Sequence, residues 1–303
     1  MSTPAHLRAL FAILFAAFFT GCATLPYRPA TPHETARALL LRPDEPQLER
    51  GKPNKFLDAS DWIWPGSWIG KLILWNRQVD SHQISTNTEE FLRAYLAHNN
   101  LTNVKVRINQ YRPGDEWRRL FNNRAVGAGW RYTLGILSVA YYTILPGRFF
   151  GGDHYNSFTD TINLYSDIPA VAAHEGGHSK DWGEMKYKGT HAFLYMLPAA
   201  PLFYEATATA DALSYLRETQ SLDLQKQGYN TLYPAYGTYV GGTFGSLVYD
   251  PFGIYSIAFA IPGHIAGRVK SAQLADETPP PISAPESESD SDAPTAARPT
   301  LGK

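Results

Sequence analysis

The chain has 303 residues, 44% of them hydrophobic and 18% charged, with a formal net charge of -1. That is enough chain for one medium domain with a real core, and the even balance of charge argues against a nucleic-acid partner. Cysteine occurs once, at Cys22, so no disulfide framework can form within the chain.

The start reads "MSTPAHLRALFAILFAAFFTGCATLP". Arg8 precedes an apolar run over 9–19 that is too short for a mature membrane span and has the layout of a secretory signal. Gly21-Cys22 after that run resembles the lipobox of bacterial lipoproteins, with Phe19 where Leu is usual. The resemblance implies a signal peptide over 1–21 and a diacylglycerol on Cys22. Ala23, in place of Asp, implies the outer membrane, on its periplasmic side. Acyl chains there would hold the protein at a membrane without a spanning helix. Residues 22–60 hold Pro26, Pro29, Pro32, Pro43, Pro46 and Pro53 among few apolar clusters, and read as a lipidated tether. The expected folded domain spans 61–271.

Within it, "STNTEEFLRAYLAHNNL" predicts a helix near 88–98, with apolar residues at helical spacing after a Ser/Thr/Asn start. "NVKVRINQY" alternates Val104, Val106 and Ile108 with Lys105, Arg107 and Asn109, which predicts a strand over 103–110. A short helix follows over 114–123. "DTINLYS" predicts a second strand over 160–166. "DIPAVAAHEGGHSKDW" then opens a helix, with Asp167 as its expected N-cap, Pro169 in its first turn, and Asp181 and Trp182 at its end. "PLFYEATATADALSYLRE" predicts another helix after the breakers Pro198 and Pro201. The long uncharged stretches "YTLGILSVAYYTILPG", "HAFLYMLPAAPLF" and "PFGIYSIAFAIPGHIAG" fall short of a clean span. They read as buried core, or else as a surface against a membrane or along a substrate groove. The final 272–303, rich in Pro, Ser and acid, is expected to be disordered.

The chemistry concentrates in "VAAHEGGHSKDW". On a helix, His174 and His178 lie one turn apart on one face and can aim two imidazoles at one Zn²⁺. Glu175 can reach a water beside that metal as general base. Gly176 and Gly177 cost about 1 kcal/mol each against Ala inside a helix, which points to another element packed closely there. Glu205, 27 residues after His178, is the expected third ligand, with Asp211 as a rival.

His174, Glu175, His178, Glu205 and Ala208 in this order resemble the gluzincin branch of the zincin metallopeptidases. The resemblance implies an α+β zincin-like fold: a small sheet, an HExxH helix and a ligand helix. It also implies an edge strand above the metal for an extended substrate, a role expected of strand 160–166. Many gluzincins carry Asp or Asn four residues after the ligand Glu, where this chain has Thr209. The metzincin branch, which would use Glu184, has Gly where this chain has Asp181. Tyr204, His154, His191 and His264 are candidate oxyanion donors. The expected protein is a lipid-anchored zinc hydrolase acting on a peptide or protein substrate. The competing expectation is a non-catalytic envelope lipoprotein whose metal is structural or vestigial.

Overall fold

The computed structural model describes residues 26–30, 39–52, 65–145 and 152–276. The expected signal peptide over 1–21, Cys22 and residues 277–303 of the expected tail lie outside the described residues, whereas 272–276, expected to be disordered, are helical. The fold is α+β and mostly helical, with a small four-stranded sheet.

The sheet is built from β1 (Leu48–Arg50), β2 (Lys105–Ile108), β3 (His154–Asn156) and β4 (Thr161–Leu164), in the order β1-β2-β4-β3. β1 and β4 run parallel to β2, and β3 closes the sheet antiparallel to β4. The expected domain boundary at residue 60 therefore moves. Leu48 of β1 is buried and pairs with Val106, so part of the expected tether is a strand of the core sheet.

Alternation along β2 correctly marks a strand, yet both of its faces are covered. Helix α1 (Pro65–Ile73) precedes α2 (Thr86–His98), and α3 (Pro113–Asn122) follows β2. Val106 and Ile108 enter the main core with Leu92 and Leu96 of α2. On the other face Arg107 is fully buried, its Nε 2.7 Å from Oε1 of Glu116 on α3, with Asp115 and Gln110 as further partners. Lys105 is likewise buried against Glu49 at 2.9 Å and Glu45 at 3.6 Å. A buried charge survives only when paired in this way.

After α3 the chain forms a short turn of helix α4 (Ala128–Trp130), a π-helical segment (Arg131–Gly135) and α5 (Ile136–Ile144). The long helices follow: α6 (Pro169–Glu184), α7 (Lys188–Tyr195), α8 (Ala200–Glu218), α9 (Leu222–Val248) and α10 (Ile254–Asp276). α6 carries Pro169 in its first turn as expected, but its N-cap is Ile168 and it continues past Trp182 to Glu184. Asp167 instead accepts hydrogen bonds from the Ser85 amide, the Ser85 hydroxyl and the Thr88 hydroxyl, tying the start of α2 to the start of α6.

The two glycines of α6 have the close neighbours their cost implied. A Cβ on Gly176 would meet the Tyr95 ring of α2 at 2.4 Å, and one on Gly177 would meet the Ala208 backbone of α8 at 3.2 Å. α9 and α10 form a hairpin packed backbone to backbone: a Cβ on Gly241 would sit 2.1 Å from the carbonyl oxygen of Tyr255. Among the described residues no helix is long and apolar enough to cross a membrane.

Candidate metal centre

Close approach of α6 and α8 through Gly177 and Ala208 sets the site. It brings Glu205, one turn before Ala208, over the histidine face of α6. His174 Nε2 lies 3.1 Å from Glu205 Oε2, His178 Nε2 lies 3.4 Å from Glu205 Oε1, and the two Nε2 atoms are 3.1 Å apart. One ligand atom from each residue falls within 4.8 Å of the others, and the group is largely buried. A tetrahedral ion with ligand bonds of about 2.0–2.1 Å holds its ligand atoms roughly 3.3–3.4 Å apart. The two imidazole nitrogens are close to that spacing, and each faces a different oxygen of Glu205 at a similar distance. This buried His174-His178-Glu205 group is able to hold a metal ion.

The electrostatics point the same way. Burial disfavours the charge on Glu205, but His178 and His174 outweigh it and hold the carboxyl far below the usual carboxylate range. Burial also works against a charged His178, yet Glu205 prevails and raises the imidazole to about 9. Burial lowers His174. Two imidazoles around one buried carboxylate thus form a pocket that favours a positive charge.

Side chains around the ligands fix their orientation. The Tyr195 hydroxyl donates to Glu205 Oε1 at 2.5 Å. Tyr239 is partly exposed, but its hydroxyl end faces Glu205 and Tyr195. The Thr209 hydroxyl lies 3.4 Å from His174 Nδ1, so the position where an Asp or Asn was anticipated still contributes a polar contact to that imidazole. Such outer contacts set the tautomer and direction of ligand histidines.

Glu175 projects into a cleft of about 550 Å³ beside the histidines. Burial is the main reason its carboxyl is raised to about 8. It accepts a hydrogen bond from the Tyr155 backbone amide, so β3 borders the site. The edge strand beside the cleft is thus β3, and the anticipated strand, β4, is interior to the sheet. The cleft is walled by Leu137, Tyr141, Phe158, Trp182, Met196 and Tyr239, and no Lys or Arg lines it among the described residues.

The rival ligands lie elsewhere. Asp211, six residues on from Glu205, faces away from the histidines and pairs with Lys180 and the Tyr95 hydroxyl. Glu184 sits at the end of α6, 3.9 Å from Arg28. Of the four proposed oxyanion donors, only His154 lines the cleft, with Nε2 3.2 Å from Asn163 Nδ2. His191 and Tyr204 bond to each other at 2.9 Å, with the Tyr204 ring packed against Tyr195 and Trp182. His264 is on α10, bonded to the Ile73 carbonyl at 2.6 Å and stacked on Trp75. Tyr195 and Tyr239 escaped the sequence reading. Each sits in an uncharged stretch with no motif around it, and only packing delivers it to Glu205.

No family model matches the chain, and neither a curated protein nor a solved structure matches it.

Proposed function

We propose that this chain is a zinc-dependent metallohydrolase of the bacterial cell envelope, of gluzincin type, lipid-anchored through Cys22 on the periplasmic side of the outer membrane. Its substrate on this reading is a peptide or protein. The observation that carries the reading is the conjunction of His174, His178 and Glu205 at metal-ligand spacing with Glu175 buried beside them in a cleft. A structural site needs only the three ligands and a fourth donor. An adjacent carboxylate facing an open cleft is the feature that distinguishes a hydrolytic one.

Zinc suits two imidazoles and a carboxylate, and when bound it supplies a Lewis acid and brings the pKa of a water toward neutrality. The protein's own groups do the rest. Glu175 takes a proton from the attacking water and passes it to the leaving amine, a role for which its place in the cleft beside the histidines suits it. The Tyr155 amide holds the Glu175 carboxylate in place. Tyr195 and Tyr239 steady Glu205 at the edge of the cleft, where their single hydroxyl protons are directed at its carboxylate. The aromatic and aliphatic walls favour uncharged side chains. Among the described residues those walls carry no Lys or Arg to pair with an acidic side chain.

The test is hydrolysis of a pool of neutral, apolar fluorogenic peptides by the purified protein. Activity should disappear on chelation and return with zinc. Glu175→Gln keeps shape and hydrogen bonding but cannot accept the proton, and should lower the rate by at least about 10²-fold. Full activity in Glu175→Gln would sink the hydrolytic mechanism.

A further inference from the structure

We propose that one end of the molecule, formed by the α7–α8 corner and the tip of the α9–α10 hairpin, is a membrane-docking face that seats the cleft at the surface of a lipid bilayer. The proposal rests on the reading of Cys22 as a lipid attachment site.

Two uncharged segments meet at this end. No Asp, Glu, Lys or Arg occurs between Lys188 and Glu205, and only Asp250 occurs between Lys226 and Arg268. The Asp250 carboxylate is turned back onto the Tyr255 amide at 2.8 Å. The segments are joined where the Thr243 hydroxyl of α9 donates to the Pro198 carbonyl at 3.0 Å, and where the Tyr236 hydroxyl reaches the Leu202 carbonyl. Their apolar side chains are left outside. Tyr249 is 86% exposed, Phe252 83%, and Met196 and Phe203 66% each, with Leu197 and Ile254 also open. Large exposed apolar groups along two adjoining uncharged segments mark an interaction site, and aromatic rings are favoured at the bilayer interface.

The N-terminal segment identifies the occupant. Residues 26–30 are not loose. The Tyr27 hydroxyl donates to Asn99 at 2.7 Å, the Ala30 amide reaches the same oxygen at 3.1 Å, and Lys180 donates to the Arg28 carbonyl while its ammonium lies 4.4 Å above the Tyr27 ring. Pro26 and Phe203 border one groove, whose charged wall is formed by Arg28, Lys180, Asp181, Glu184 and Asp211. Cys22 is four residues earlier, and four residues reach at most about 14 Å. A lipid on Cys22 is therefore tethered within that distance of Pro26, which puts the groove bordered by Phe203 within reach of the bilayer. Met196 of the same end also walls the cleft, so docking here puts the cleft mouth at the membrane surface.

The test uses the full processed chain, extracted from cells and reconstituted into phosphatidylethanolamine/phosphatidylglycerol vesicles. Single cysteines at Phe203→Cys, Phe252→Cys and Asp44→Cys are labelled with an environment-sensitive fluorophore. The third is a control on the charged surface near Arg42. Thiol labelling of the unsubstituted chain reports Cys22 itself, because a lipidated sulfur cannot react, so failure of the anchor is read separately from failure of the face. The expected result is blue-shifted emission at 203 and 252, quenched by nitroxide-bearing lipid, with Asp44→Cys unchanged. Aqueous emission at either 203 or 252 overturns the proposal, as does equal quenching at Asp44→Cys.

Discussion

At the scale of single residues, the site divides into what spacing announces and what packing alone delivers. His174, Glu175 and His178 are legible because helical geometry fixes their relation over five residues. Glu205 is legible because its helix is strongly patterned, though its preference over Asp211 and Glu184 became decisive only with Asp211 seen against Lys180 and Glu184 near Arg28. Tyr195 and Tyr239 had no such signal. Tyr195→Phe removes the 2.5 Å hydrogen bond to Glu205 and keeps the ring. Loss of such an outer contact costs about 10–100-fold in metal affinity, so competition with a chelator should show zinc held that much more weakly, and unchanged affinity would remove Tyr195 from the site. Asp115 gives a separate test away from the metal. Burial opposes its charge, but hydrogen bonds from Arg118 and Arg107 prevail and depress its carboxyl from 3.8 to about 2. A depressed carboxyl adds stability above its unfolded value and loses that contribution as pH falls through its folded one. The urea midpoint of the native chain should therefore fall between pH of about 4 and 2 more steeply than that of Asp115→Asn. Parallel curves would contradict the pairing.

At the scale of elements, the sequence located α2, α3, α6 and α8, which carry a periodic apolar face or a breaker at their start, but not α5, α7, α9 and α10, which lie in the uncharged stretches where that contrast is lost. It missed β1, whose three residues carry too little pattern to separate from the proline-rich chain around them. It also took strand 160–166 for the edge, because β3 is equally short and its order in the sheet is a long-range property. Alternation in β2 was real, but that pattern by itself does not tell that the polar face is roofed by Glu116 and Asp115 of α3. The glycine pair of α6 was the best tertiary clue in the chain. Gly176→Ala gains about 1 kcal/mol of helix propensity, but its methyl would strike the Tyr95 ring. Overpacking of this kind costs about 1–3 kcal/mol, so the substitution should lower stability in chemical unfolding, where propensity alone would raise it. A more stable Gly176→Ala would mean that α2 does not press on α6 as described.

At the scale of the whole molecule, the helices α2, α8 and α9 and the sheet all serve to hold α6 in place, so a metal on α6 and α8 couples to the stability of the fold. An ion bound only by the native state stabilises it by about 2.7 kcal/mol at a hundred times its dissociation constant. Chelation should accordingly lower the melting temperature, and the shift should vanish in His174→Ala. The fold class was legible as α+β, whereas the packing of residues 26–30 and 39–52 against the core was not, since prolines and sparse apolar residues look alike in a tether and in a strap. The measurement that bears most directly on the central claim is zinc content per chain in purified protein. The native chain, Glu175→Gln and Asp211→Asn should each hold close to one zinc, and His174→Ala, His178→Ala and Glu205→Ala should each hold far less. Zinc retained in Glu205→Ala, or lost from Asp211→Asn with its fold intact, would contradict the site.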